Sequence, residues 1–191
     1  AGISTCMADI GTHCANLLEY VTGLQITEVC ADLMAFVDGR KMEDDGSVLI
    51  RMGDKTRGVI WASQIASGQD NGLRIRVYGE EGALEWYQED PNTLLVSCSD
   101  KPTEIVRTAT NGTGHGSRQN TRLPAGHPEG FLEAFANLYS EFADSVSCFN
   151  DEFPSNSNYD YPTVIDGSRG VAFVETVVDS SNSERKWIEM P

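Results

Sequence analysis

A chain of 191 residues, 40% hydrophobic and 23% charged, suits a globular domain with a proper core and excludes a disordered one. The 14 basic and 29 acidic residues leave a net charge of -15, which excludes nucleic acid and anionic lipid surfaces as partners. No run of about 18 apolar residues occurs, so no membrane span is expected.

The opening, AGISTCMADIGTH, is neither a signal peptide nor an ordinary start, and a fragment of a longer protein is expected. The five cysteines (Cys6, Cys14, Cys30, Cys98 and Cys148) are widely spaced and odd in number. No CxxC or Cys/His cluster forms a zinc pattern, so no metal site is expected and the thiols read as reduced in a cytoplasmic protein.

The first element is a helix from Asp9 to Thr22. Ile10, Cys14, Leu17 and Val21 recur at helical spacing, and Gly23 stands where a left-handed C-cap belongs. A middle section reads as strands over Gln25–Phe36, Ser47–Met52, Arg57–Ala66, Leu73–Tyr78, Ala83–Gln88, Leu94–Ser99 and Glu104–Thr108. In the fourth, Leu73, Ile75 and Val77 alternate with Arg74, Arg76 and Tyr78. Turns such as Gly79-Glu80-Glu81-Gly82 and Asp90-Pro91-Asn92 are too short for crossover helices, so the pairing is largely antiparallel.

Asn111–Gly126 reads as a glycine-rich loop. A second helix follows over Pro128–Val146, with Phe131, Leu132, Phe135, Leu138, Tyr139, Phe142 and Val146 as its apolar stripe. Asn150–Pro162 reads as a polar loop. A third helix runs from Asp166 to Asp179 with Val171, Val174 and Val178 on one face, and Lys186–Glu189 closes the chain as a strand. The fold class is therefore α+β, a largely antiparallel open sheet with helices on one face. Its other face is left for solvent, a second domain or another subunit.

Asp9 and His13 stand one helical turn apart, and Asn16 and Tyr20 continue that stripe. Imidazole exchanges protons near neutral pH, and a neighbouring carboxylate orients its ring. The same pair also reads as an N-cap aspartate with a partly exposed histidine. His127, beside Pro128 and Glu129, is a candidate substrate contact or a turn histidine. His115 lies in the glycine-rich loop. Arg40 and Lys41, among Asp38, Glu43, Asp44 and Asp45, read as a solvated charged turn. Trp61 and Trp86 read as sheet or interface residues, and Arg169 as an ion-pair anchor.

Three stretches carry a resemblance across nearly the whole chain. The first is Ala8-Asp9-Ile10-Gly11-Thr12-His13 with Val21-Thr22-Gly23-Leu24. The second runs from Gly68-Gln69-Asp70-Asn71-Gly72 through Tyr78-Gly79 to Gly82-Ala83-Leu84-Glu85-Trp86. The third is Gly126-His127-Pro128-Glu129-Gly130-Phe131, with Asp166-Gly167-Ser168-Arg169-Gly170 closing the pattern. Together they resemble the C-terminal domain of the Gfo/Idh/MocA oxidoreductases, relatives of glucose–fructose oxidoreductase and inositol dehydrogenase.

The resemblance implies one C-terminal substrate-binding and oligomerisation domain over residues 1–191. It implies that NAD or NADP is bound by an N-terminal Rossmann domain that this chain lacks. It makes Asp9 and His13 the catalytic, substrate-facing pair, with Asp9 hydrogen-bonding substrate, orienting His13, or both. His13 then serves as general base for oxidation of a small neutral polyol or sugar-like substrate. Neither Gly-x-Gly-x-x-Gly after a strand nor Glu-Lys-Pro occurs here, so no cofactor-binding residue is expected within the chain. A homo-oligomer through the sheet face is expected. The alternative is a noncatalytic binding or assembly module using that exposed face.

Overall fold

The chain begins with one π-helical turn, Met7–Gly11, which runs into helix α1, Thr12–Thr22. Strands β1 (Ile26–Met34), β2 (Asp45–Met52) and β3 (Thr56–Ser63) follow. Next come β4 (Arg74–Tyr78), β5 (Gly82–Tyr87), β6 (Thr93–Cys98) and β7 (Lys101–Arg107). The chain then forms helices α2 (His115–Asn120), α3 (Phe131–Phe149) and α4 (Val164–Ser181), and a two-residue strand β8 (Ile188–Glu189). The computed structural model describes residues 2–149 and 159–191. The polar loop expected from Asn150 lies outside the described residues as far as 158. Two compact units emerge, residues 1–70 with 163–191, and residues 71–162.

The first unit is a four-stranded antiparallel sheet, ordered β3-β2-β1-β8, with helices on one face. β2 shows why: Gly46, Val48, Ile50 and Met52 are buried, while Ser47 and Leu49 between them are exposed. Val29, Ile60, Phe173 and Val177 join that buried face. Period-two alternation therefore commits one face to the helices and leaves the other open.

β1 loses its strand partner after the short pairing with β8, and α4 takes over. The Ala31 amide donates to Ser180 Oγ at 3.0 Å, and the Leu33 amide donates to Ser181 Oγ at 3.1 Å. Two strand amides at a sheet edge are thus satisfied by hydroxyls. This sets the face that α4 buries: Phe173, Val174, Thr176, Val177 and Ser180. The expected Val171–Val174–Val178 face is corrected, because Val171 is exposed and two hydroxyl residues share the core side.

Gly23 does cap α1 in the left-handed conformation, at φ 67°, with its amide on Glu19 O at 2.9 Å. α4 starts two residues earlier than expected, on a Thr163–Asp166 capping box.

The second unit is an antiparallel meander, β4-β5-β6-β7, with α2 and α3 following it. Gly82 is required at its turn, since a Cβ there would stand 2.4 Å from the Ser97 carbonyl oxygen. A short helix, α2, occupies part of the stretch expected as loop. α3 begins at Phe131 rather than Pro128, after a segment held by side-chain acceptors.

The protein thus has an α+β fold with antiparallel sheets and helices packed on one face, as the sequence indicates. Among the described residues no helix is long and apolar enough to cross a membrane.

Candidate functional site

The π-turn carries Asp9, and α1 after it carries His13, and among the described residues no hydrogen bond or ion pair joins the two side chains. The turn's wide bond runs from the Thr12 amide to Met7 O, five residues back. Asp9 lies inside this turn and His13 is the second residue of α1. Both are exposed, as are Asn16 and Tyr20 farther along.

The turn is anchored from the sheet side. Met7 is fully buried. The Glu43 carboxylate, from the β1–β2 connection, accepts the Thr5 amide at 3.0 Å and the Met7 amide at 3.1 Å. Ser4 Oγ also donates to it, and the Thr5 hydroxyl donates to the Glu43 carbonyl. A carboxylate remote in sequence thus does the work of an N-cap. The N-cap reading of Asp9 is corrected accordingly: the helix starts earlier, and Asp9 sits within its first turn.

The solvated charged turn around Arg40 is also corrected, because Glu43 and Asp44 are buried. Asp44 accepts the amides of Phe36 at 2.8 Å and Val37 at 3.0 Å, and pairs with Arg40 at 3.0 Å. The Phe36 amide foremost, then that of Val37 and the Arg40 guanidinium, hold its carboxyl below the usual range against the opposing effect of burial. These contacts make the connection an organised support rather than a loose loop. Arg40 and Lys41 themselves stay exposed, as the sequence suggests, and it is the two carboxylates that turn inward.

Gln64, just past β3, completes the neighbourhood of Asp9. Its backbone amide donates to Asp44 O at 2.8 Å, and its Nε2 donates to Asp9 Oδ2 at 3.3 Å. Fifty-five residues separate the two, and no local pattern in the sequence points to the contact. Beneath the turn, burial pushes the Cys6 thiol up to about 11, with Glu43 and Asp45 adding to the effect. Such a thiol is a packing group and not a nucleophile.

Arg169 is the ion-pair anchor the sequence suggests. It binds Glu19 through two nitrogens, both at 2.6 Å, and reaches Ile26 O at 2.7 Å. Glu19 in turn accepts the Ile26 amide at 2.7 Å, so α1, α4 and β1 are locked together. Trp61 is exposed on the open sheet face with its indole on Asp45, and Trp86 is half-buried with its indole on Pro91 O.

His127 belongs to the second unit and is described there by itself. Its amide and its Nδ1 both approach Pro124 O, at 3.1 and 3.2 Å. Glu129 holds the loop by accepting the Arg122 amide at 2.9 Å and the Leu123 amide at 2.6 Å. The His127 ring is exposed. His115 is exposed at the start of α2. An open cavity of about 260 Å³ in this unit is lined by Ala109, Thr110, Asn111, Arg118, Thr121 and Leu123, and holds no predicted site residue.

Residues 2–85 match the GFO/IDH/MocA C-terminal domain. The chain is 30% identical to the oxidoreductase YfiI of Bacillus subtilis (strain 168), over 99% of this chain and 49% of that protein. An oxidoreductase from Sinorhizobium meliloti superposes with a TM-score of 0.90 at 42% identity, covering 96% of this chain and 51% of its own. The inositol dehydrogenase homolog of Azotobacter vinelandii, complexed with NADH and myo-inositol, gives a TM-score of 0.92 at 29% identity, covering 98% and 50%. The chain spans about half the length of the relatives it matches.

Proposed function

We propose, from the match of residues 2–85 to the GFO/IDH/MocA C-terminal domain and from the likeness of nearly the whole chain to about half of each oxidoreductase relative, that it is the substrate-binding, catalytic half of an NAD(P)-dependent oxidoreductase. The substrate class is a small neutral polyol, a sugar or cyclitol. Residues 1–191 are its C-terminal domain, and the nicotinamide cofactor belongs to a Rossmann half outside this chain. The glycine turn of the second unit does not have the form of a dinucleotide loop. The turn from Gly79 to Gly82 leads into another antiparallel strand, with no helix N-terminus to cradle a pyrophosphate. The cofactor, when bound in the other half, supplies hydride chemistry.

What this chain contributes is proton traffic and positioning. His13 takes the proton of the substrate hydroxyl in oxidation and returns it in reduction. Asp9 orients the imidazole and accepts a hydrogen bond from substrate. His127 is proposed separately as a substrate contact. The observation that carries the reading is the exposed Asp9–His13 pair on a turn anchored by Glu43 and the buried Met7.

The outer face of the first sheet exposes Leu49, Val59 and Trp61 together. That apolar area supports self-association of the chain, and it also keeps a noncatalytic assembly module as the second reading.

His13→Ala in the natural full-length protein tests the first reading. It is expected to lower kcat by at least about a hundredfold while leaving NAD(P) affinity unchanged. Unchanged turnover would reject proton transfer by His13. Lack of NAD(P) binding, with self-association intact, would favour the assembly module.

A further inference from the structure

We propose that Gln64 is a positioning residue of the Asp9–His13 site, an inference that rests on the role given to that pair above. Its carboxamide commits one oxygen of the Asp9 carboxylate and leaves the other for the imidazole or a substrate hydroxyl.

Three observations carry it. Gln64 Nε2 donates to Asp9 Oδ2 at 3.3 Å, a contact between the end of β3 and the π-turn. The Gln64 backbone is itself fixed, with its amide on the carbonyl of the fully buried Asp44 at 2.8 Å. Asp44 is fixed in turn by the Phe36 and Val37 amides. The Asp9 carboxylate is therefore referenced to the sheet through Gln64 and Asp44, and not only to its own helical turn.

A π-turn makes such a reference useful. Such turns are rare and occur mostly as single turns within α-helices, often at functional sites, and here the turn's carboxylate takes its side-chain hydrogen bond from outside the helix. Asp9 is exposed and its side chain has one hydrogen-bond partner among the described residues, so that amide donor is what limits its rotation. A glutamine suits this task. It is neutral, so it adds no charge that would compete with the imidazole for the carboxylate. Its donor lies at the end of a chain long enough to reach from the strand.

The test compares Gln64→Met, Gln64→Glu and His13→Ala with wild type in the natural full-length protein, using myo-inositol and NAD+ as probes. Gln64→Met keeps length and removes the donor. It is expected to lower kcat about tenfold, the scale of one hydrogen bond to a charged group, with KM for NAD+ and Tm unchanged. Gln64→Glu sets like charges together and is expected to lower kcat further. A merely structural Gln64 would move Tm and leave kcat alone.

The second measurement needs no substrate. The side-chain amide signals of Gln64 in a 15N–1H spectrum are expected to shift in Asp9→Asn. Wild-type kcat in both Gln64 variants, or Gln64 signals unmoved by Asp9→Asn, would overturn the inference. Full activity in His13→Ala would instead overturn the reading of the pair. No wild-type rate with myo-inositol counts against a cyclitol substrate, and the spectra then decide on Gln64.

Discussion

The two units are built from similar amounts of chain and hold themselves together differently. In the first, Phe173, Val177, Val29, Val48, Ile50 and Met52 are almost wholly removed from water. In the second, no apolar residue among those described is buried, and the α3 stripe expected to face a core remains largely exposed. Phe131, Leu132, Tyr139 and Phe149 are all more than two-thirds exposed, and aromatic rings stack along the helix instead of beneath it. Amphipathicity therefore says that a helix has an apolar side, not that its own unit covers it. The candidate catalytic pair stands on the unit with the deep core, where a rigid base can hold side chains in place.

The largest expected contrast comes from the same substitution on two helices. Phe173→Ala removes a fully buried ring from α4 and is expected to cost about 3–5 kcal/mol in chemical denaturation. Phe149→Ala on α3 is expected to change stability by less than about 0.5 kcal/mol. A large loss at Phe149 would break the comparison and show that the α3 stripe is covered in solution.

A middle effect is expected at the partly buried pair that locks α1 to α4. Glu19→Gln weakens its contact with Arg169 and is expected to destabilise the first unit by about 1–3 kcal/mol. Hydrogen exchange should rise across α1, α4 and β1 and stay level in β4 to β7.

The smallest is a pH effect. The Asp44 carboxyl is lower in the folded state than in the unfolded one, so its contribution is fully present above the ordinary carboxylate pKa of about 3.9. It fades as pH falls through the lower folded value. The Tm difference between wild type and Asp44→Asn should therefore shrink on acidification. A difference that stays constant down to strongly acid pH would remove this linkage.

Much of this was legible in the sequence for local reasons. Gly23 announced the end of α1, short turns dictated antiparallel pairing, and alternation in β4 gave its faces. The Asp9–His13 spacing placed the pair on one helical segment. What stayed hidden depends on distant partners. Glu43 looks like one acid among several near Arg40, yet it is buried because three backbone or hydroxyl donors at residues 4 to 7 meet it. Ser180 and Thr176 read as polar positions, yet they face inward because hydroxyls there find acceptors and donors. Gln64 carries no signal at all until β3 brings it to Asp9. The Thr163–Asp166 box was visible, and attention to it would have set the start of α4 correctly.

The wide turn at residues 7–11 has a consequence for anyone editing this protein. A helix closed by five-residue bonds contains one residue more than a uniform α-helix would use, and each residue carries about 100° of rotation. Removing a single residue there would tidy the backbone and swing either Met7 out of its socket or His13 off its bearing. Regularity and aim are in conflict at this point, and the chain keeps its aim.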